Sequence, residues 1–152
     1  MRRLVIIAST WFGTGFSPVA SGTVGTLAAI PLYYLMTRLP VALYIIILAA
    51  FTLLSCWISG RAEVIFNEKD SSKIVIDEVV GYLVTMIAAP FSWKGAVLGF
   101  FLFRFFDITK IPPARYFDRN LKNGYGVVLD DLVAGIYSCV ALHLLLYLNL
   151  NP

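Results

Sequence analysis

At 152 residues the chain has the length of one ordinary domain, yet 59% of it is hydrophobic and 14% is charged, where soluble domains carry about 25% charged residues. With a mean hydropathy of +0.81, so small a chain lacks the polar surface that a water-soluble domain must show. Twelve basic and nine acidic residues leave a net charge of +3, with no long basic run; this excludes a nucleic-acid footprint and makes a bilayer the expected partner.

The pattern predicts an all-α fold, a polytopic membrane helical bundle of about five hydrophobic helices forming one domain over residues 1–152, some of them shorter than a full crossing. The N-terminus carries Arg2 and Arg3 but only about five apolar residues before Ser9, short of the roughly 7–15 of a signal-peptide core, so it is expected to be retained. The stretch from Gly13 to Thr26 then places glycines and hydroxyls before an apolar segment. Free backbone N–H groups at such a helix start favour an anion, although Ser21 or Thr23 can equally cap the helix and Gly22 and Gly25 can serve close packing.

Five apolar segments follow in order: Thr23–Met36, Val41–Ser59, Ile74–Pro90, Gly95–Phe106 and Val127–Leu150. Only the second and fifth are long enough for an easy crossing, because about 13 residues of helix rise ~20 Å against a hydrocarbon core of ~30 Å. Breaks are expected at Arg38–Pro40, Arg61–Lys73, Pro90–Lys94 and Thr109–Tyr125, the last with Pro112-Pro113 and the glycines Gly124 and Gly126. If all five segments cross, one side holds Arg2, Arg3, Arg61, Lys69, Lys73, Lys110, Arg115, Arg119 and Lys122 and the other only Arg38 and Lys94. The positive-inside rule makes the first side cytoplasmic.

That topology gathers the acids. Asp77 and Glu78 fall at the start of the third segment, Asp107 at the end of the fourth, and Asp130 and Asp131 at the start of the fifth, all on the face of the Gly-rich stretch. A carboxylate at membrane depth costs roughly 2.5–3.5 kcal/mol on insertion scales, and two of them about 4 Å apart repel by ~4 kcal/mol at an effective dielectric of 20. A divalent cation relieves both terms, and an all-oxygen set suits magnesium or manganese better than zinc. The bland reading makes each acid an interfacial or capping residue paired with a nearby base. Arg104, Asp107 and Lys110 recur at i, i+3, i+6, which suits phosphate binding by Arg and Lys or a structural Arg104–Asp107 pair.

Other residues carry plainer expectations. Cys56 and Cys139 indicate neither a zinc site nor a disulfide framework, and His143, deep in the last segment, is a packing residue. Trp11, Phe12, Phe91, Trp93, Tyr116 and Phe117 flank the crossings as an interfacial belt. Arg115, Asp118 and Arg119 can meet a lipid headgroup or form a loop salt bridge.

Taken in order, Gly13-x-Gly15-x-Ser17-Pro18, Ser21-Gly22-Thr23-x-Gly25-Thr26, Ile74-Val75-x-Asp77-Glu78-x-x-Gly81, Phe103-Arg104-x-x-Asp107-x-x-Lys110 and Gly124-x-Gly126-x-x-x-Asp130-Asp131-x-x-Ala134-Gly135 resemble the phosphatidylglycerophosphatase A family from Phe12 to Gly135. The resemblance implies a magnesium-dependent phosphatase of the bacterial cytoplasmic (inner) membrane that converts phosphatidylglycerophosphate to phosphatidylglycerol and inorganic phosphate. It carries over Asp77, Glu78, Asp107, Asp130 and Asp131 as the catalytic set. Ser21 and Ile111 stand where the family usually has proline, which alters loop stiffness more than chemistry.

The expected mechanism is in-line attack by a magnesium-activated water. Glu78, Asp107 and Asp131 are the first choices as Mg2+ ligands, with Asp130 close behind, and Asp77 orients the water or acts as base. Ser21, Gly22, Thr23 and Thr26, with Arg104 and Lys110, would hold the phosphate, and an aspartyl-phosphate route stays open. Two other classes compete: a cation or proton transporter, which would set its acids near mid-bilayer on broken helices, and a soluble bundle that binds a phosphorylated small molecule.

Overall fold

A computed structural model describes residues 1–112, 114 and 124–150, and no strand occurs among them. Seven α-helices are described: α1 (Arg2–Ser9), α2 (Ser21–Ala28), α3 (Ile30–Met36), α4 (Val41–Phe66), α5 (Ile76–Thr85), α6 (Trp93–Thr109) and α7 (Gly124–Leu150), with a 3-10 turn at Thr14–Phe16. The all-α expectation holds. Among the described residues two helices, α4 and α7, are long and apolar enough to cross a membrane, which does not by itself establish the expected count of about five hydrophobic helices.

These two helices are also the ones whose length the apolar runs announce. Only 28% of the apolar window of each is buried in the bundle, whereas the core helix of a soluble protein would bury most of it. Ile46 and Leu53 of α4 and Val140 and Leu148 of α7 point outward, an apolar surface that water would not tolerate at this extent. Helix α4 runs on past Ser59 through Arg61 and Glu63 and stops at Asn67, whose φ of 52° suits an asparagine cap. The break expected at Arg61 therefore falls six residues later, since Arg, Ala and Glu are good helix formers whatever their polarity.

The first and third segments differ most from expectation. Thr23–Met36 is divided at Ala29 into α2 and α3, with Pro31 in the first turn of α3, where a missing N–H is tolerated. The Trp11 indole N–H donates to the Ala28 carbonyl at this joint at 3.0 Å, so Trp11 does more than mark an interface. The third segment is helical only over Ile76–Thr85, about 15 Å of rise, too short to cross alone. All of α5 except Glu78 is buried, and beyond its acidic first turn the helix is almost wholly apolar, as a buried helix is.

A helix that ends inside an apolar bundle leaves carbonyls that need donors. Tyr44 donates its hydroxyl to Leu83 O at 2.7 Å and Tyr33 donates to Ala89 O at 3.0 Å, both buried. Tyr82, on α5 itself, donates to Ala96 O at 3.1 Å, tying it to α6. Helix α5 packs most extensively on α7 and next on α4. The closest approach to α7 is at Gly81 and Gly135: a Cβ on Gly135 would fall 2.5 Å from the Gly81 carbonyl oxygen, so only hydrogen fits between the backbones.

Candidate active site

Four helix ends build the site. Asp77 and Glu78 occupy the first turn of α5, which has no side-chain cap; acids there are favoured by the helix dipole, and Asp77 Oδ1 accepts the Glu78 N–H at 3.1 Å. The Val75 N–H donates to Ser9 O at 2.9 Å, fixing the entry of α5 against α1. The Gly81–Gly135 contact brings α7 alongside, and Asp131 comes with it. Carboxylate oxygens of Asp77, Glu78 and Asp131 lie within 4.8 Å of one another, and Asp77 and Asp131 are buried.

At such spacing each pair of ionised carboxylates repels by roughly 3 kcal/mol at an effective dielectric of 20. Little positive charge offsets this. Arg104 Nη1 stands 3.9 Å from Glu78 Oε1 but 2.6 Å from Asp107 Oδ2, so its charge is shared. Glu78 Oε2 is buried with no hydrogen-bond partner among the described residues. An orphaned carboxylate oxygen inside an all-oxygen donor set is what a hard divalent cation would satisfy, and these three residues could hold one.

Asp107 and Asp130, placed with the metal ligands on sequence grounds, face basic side chains here. Asp107 pairs with Arg104 one turn earlier on α6, and Asp130 Oδ2 accepts from Lys110 Nζ at 2.9 Å. Lys110 ends α6 with φ 45°, a conformation costly for a residue with a Cβ, and from it the side chain reaches across to α7. Asp77, expected as base or orienter, belongs to the close group.

The Gly-rich stretch arrives at the same place. Helix α2 starts after Ala20, at φ 48°, without a side-chain cap, so its first N–H groups are not taken by side chains. A Cβ on Gly22 would fall 2.1 Å from Glu78 Oε1 and 3.1 Å from Arg104 Nη1. Thr23, in the same turn, is half-buried. Ser21 donates its hydroxyl to Ser72 O at 2.6 Å, and Thr26 donates inside the helix to Gly22 O at 2.8 Å and is fully buried. Thr26 therefore steadies α2 from within. The role of Ser72 had no sequence signal, because it is a carbonyl contact across 51 residues.

Arg115, Asp118 and Arg119, as well as Tyr116 and Phe117, lie outside the described residues. Cys139 Sγ has His143 Nδ1 3.7 Å away, an i,i+4 neighbour that α7 permits, and this pair offers a metal only two donors. His143 Nδ1 also lies 2.9 Å from the Cys139 carbonyl oxygen, which anchors the ring to its own helix.

Comparison with known proteins bears on this geometry. No solved structure matches the chain with significance. Among curated proteins it is 39% identical over 133 residues to phosphatidylglycerophosphatase A of Escherichia coli strain K12, covering 87% of this chain and 77% of that one. It is 38% identical over 138 residues to phosphatidylglycerophosphatase A of Haemophilus influenzae, covering 90% and 85%. A relative from Bacteroides thetaiotaomicron, 39% identical over 148 residues and covering 90% of each chain, carries a provisional name as a phosphatidylinositol-3-phosphatase. The family model of phosphatidylglycerophosphatase A matches residues 7–146, which takes in every helix that contributes to the site, and the chain belongs to that family of phosphatases.

Proposed function

We propose that the chain hydrolyses the phosphate monoester of phosphatidylglycerophosphate, giving phosphatidylglycerol and inorganic phosphate in phospholipid synthesis, with magnesium held by Asp77, Glu78 and Asp131. The observation that carries this reading is the convergence of those three carboxylates, two of them buried, beside Arg104 and the uncapped start of α2. Two apolar helices with mostly unburied faces support a multi-pass protein of the bacterial inner membrane. The basic residues at the acid-bearing end support a cytoplasmic active site.

When bound, magnesium would supply positive charge to the phosphoryl oxygens and lower the pKa of a nearby water. The protein's own groups do the rest. Arg104, oriented by Asp107, and the N–H groups of Gly22 and Thr23 grip the phosphate. The attacking water approaches in line with the leaving glycerol oxygen; the carboxylate oxygen that Asp77 does not offer to the cation accepts its proton, which then passes to the departing glycerol oxygen. Lys110 neutralises Asp130 and so keeps it from adding a further negative charge beside Asp131.

Phosphate release from phosphatidylglycerophosphate by detergent-purified protein, with and without magnesium, tests this reading. Magnesium-dependent release supports it. Absence of release from demonstrably folded protein sinks it, and would favour a cation or proton pathway, although acids at helix ends suit such a pathway poorly.

A further inference from the structure

A diacyl phosphate ester brings two apolar chains with its headgroup, so the bundle needs an apolar path that ends at the carboxylates. Helix α6 offers one. Val97, Phe101, Phe105 and Ile108 are 49%, 63%, 58% and 71% exposed, and at 100° per residue they fall within a stripe of about 80°. Arg104 lies about 20° beyond one edge of that stripe, and Asp107 about 60° further round. The side chain of Arg104 is 18% exposed, with its Nε and Nη1 buried.

Depth agrees with this order. Phe101 and Val97 lie about 4.5 and 10 Å along α6 from Arg104, toward Trp93 and away from the acids. A lipid whose phosphate rests at Arg104 would run its chains along them. Those exposures leave the stripe uncovered by the described residues of the bundle. A second apolar groove, between α1 and α4 and about 240 Å³, is lined by Arg2, Val5, Trp57, Arg61 and Val64. No residue of the carboxylate group lines it.

We infer that the outer face of α6 is where the acyl chains of the substrate dock, with Phe101 and Phe105 as specificity-determining residues that guide the phosphate to Arg104; this rests on the phosphatase reading above. Surrounding lipid competes for the same face, so ring contact adds packing and no hydrophobic transfer. The roles are those of positioning residues, which touch the chains and not the reacting atoms.

The test compares the double variant Phe101→Ala/Phe105→Ala with wild type on two substrates, phosphatidylglycerophosphate in mixed micelles and its deacylated, water-soluble counterpart. The expected result is a KM for the diacyl substrate raised about fivefold to tenfold, near 1–1.4 kcal/mol, with kcat retained and the soluble substrate unaffected. Equal losses on both substrates, no change on either, or the same KM rise in the lipid-facing α4 control Ile46→Ala/Leu53→Ala would overturn it. A diazirine placed in the acyl chain gives a readout independent of turnover: adducts on residues 97–105 support the docking face. Adducts concentrated at Val5 and Val64, or spread evenly over α4, refute it. Wild type that hydrolyses neither substrate defeats the phosphatase reading, a result distinct from active wild type with an indifferent double variant.

Discussion

Gly22 and Glu78 stand so close that a Cβ on the glycine would lie 2.1 Å from Glu78 Oε1. The clashing atom is the far end of a flexible side chain, so a methyl group there displaces the carboxylate and not the backbone. Gly22→Ala is expected to fold with nearly unchanged thermal stability in detergent while kcat falls about 100-fold, the scale of a 1 Å misplacement in a catalytic constellation. Thermal melts and initial rates on the same preparation check this; a loss of stability without a selective loss of rate would contradict it.

At Gly135 the neighbour is backbone, the Gly81 carbonyl oxygen at 2.5 Å, with Val84 Cβ at 2.9 Å. Backbone cannot rotate away, and α5 and α7 must separate. Gly135→Ala is expected to cost about 1–3 kcal/mol, as overpacking does, and to reduce activity through the altered distance between Asp131 and Asp77. Melting in detergent would show the shift. An unchanged melting point with full activity would mean that the two helices do not pack as described.

Tyr44 supplies the donor for Leu83 O near the end of α5. Tyr44→Phe keeps the ring and leaves that buried carbonyl unpaired, at a cost of about 1–3 kcal/mol. The site lies at the other end of α5, so kcat should stay within about twofold of wild type, as for a change that leaves transition-state contacts intact. Stability and rate measured together separate this variant from Gly22→Ala, since each should move the quantity that the other spares.

The sequence made α4 and α7 legible because long apolar runs have no alternative in a bundle, and the ordered acids marked one end of it. The division of Thr23–Met36 was hidden because Pro31 is acceptable both at a helix start and, with a kink, inside an apolar crossing. The early end of α5 was hidden because Met86 to Ala89 is as apolar as the helix; tyrosines of α3 and α4, distant in sequence, supply donors that let it stop. The five acids could be found from spacing but not sorted. Which of them meet Arg104 and Lys110, and which meet each other, depends on how α6 and α7 dock.

Arg104 is shared between Asp107 at 2.6 Å and Glu78 at 3.9 Å. Asp107→Asn removes the charge that orients it, and a loss of about 10–100-fold in kcat/KM is expected, as for partners that orient a ligand. Arg104→Lys should not restore a site that needs a planar fork. Activity of Arg104→Lys equal to wild type would show that only a point charge is required.

The most direct test of the central claim is phosphate release by Asp131→Asn across a magnesium titration, beside wild type of equal melting behaviour. Loss of one of three ligands should cut the rate about 100-fold or more, since the metal contributes several kcal/mol to the transition state, and should raise the magnesium concentration needed for half-maximal rate. Wild-type rates in Asp131→Asn at the same magnesium requirement would show that the Asp77, Glu78 and Asp131 group does not hold the catalytic cation.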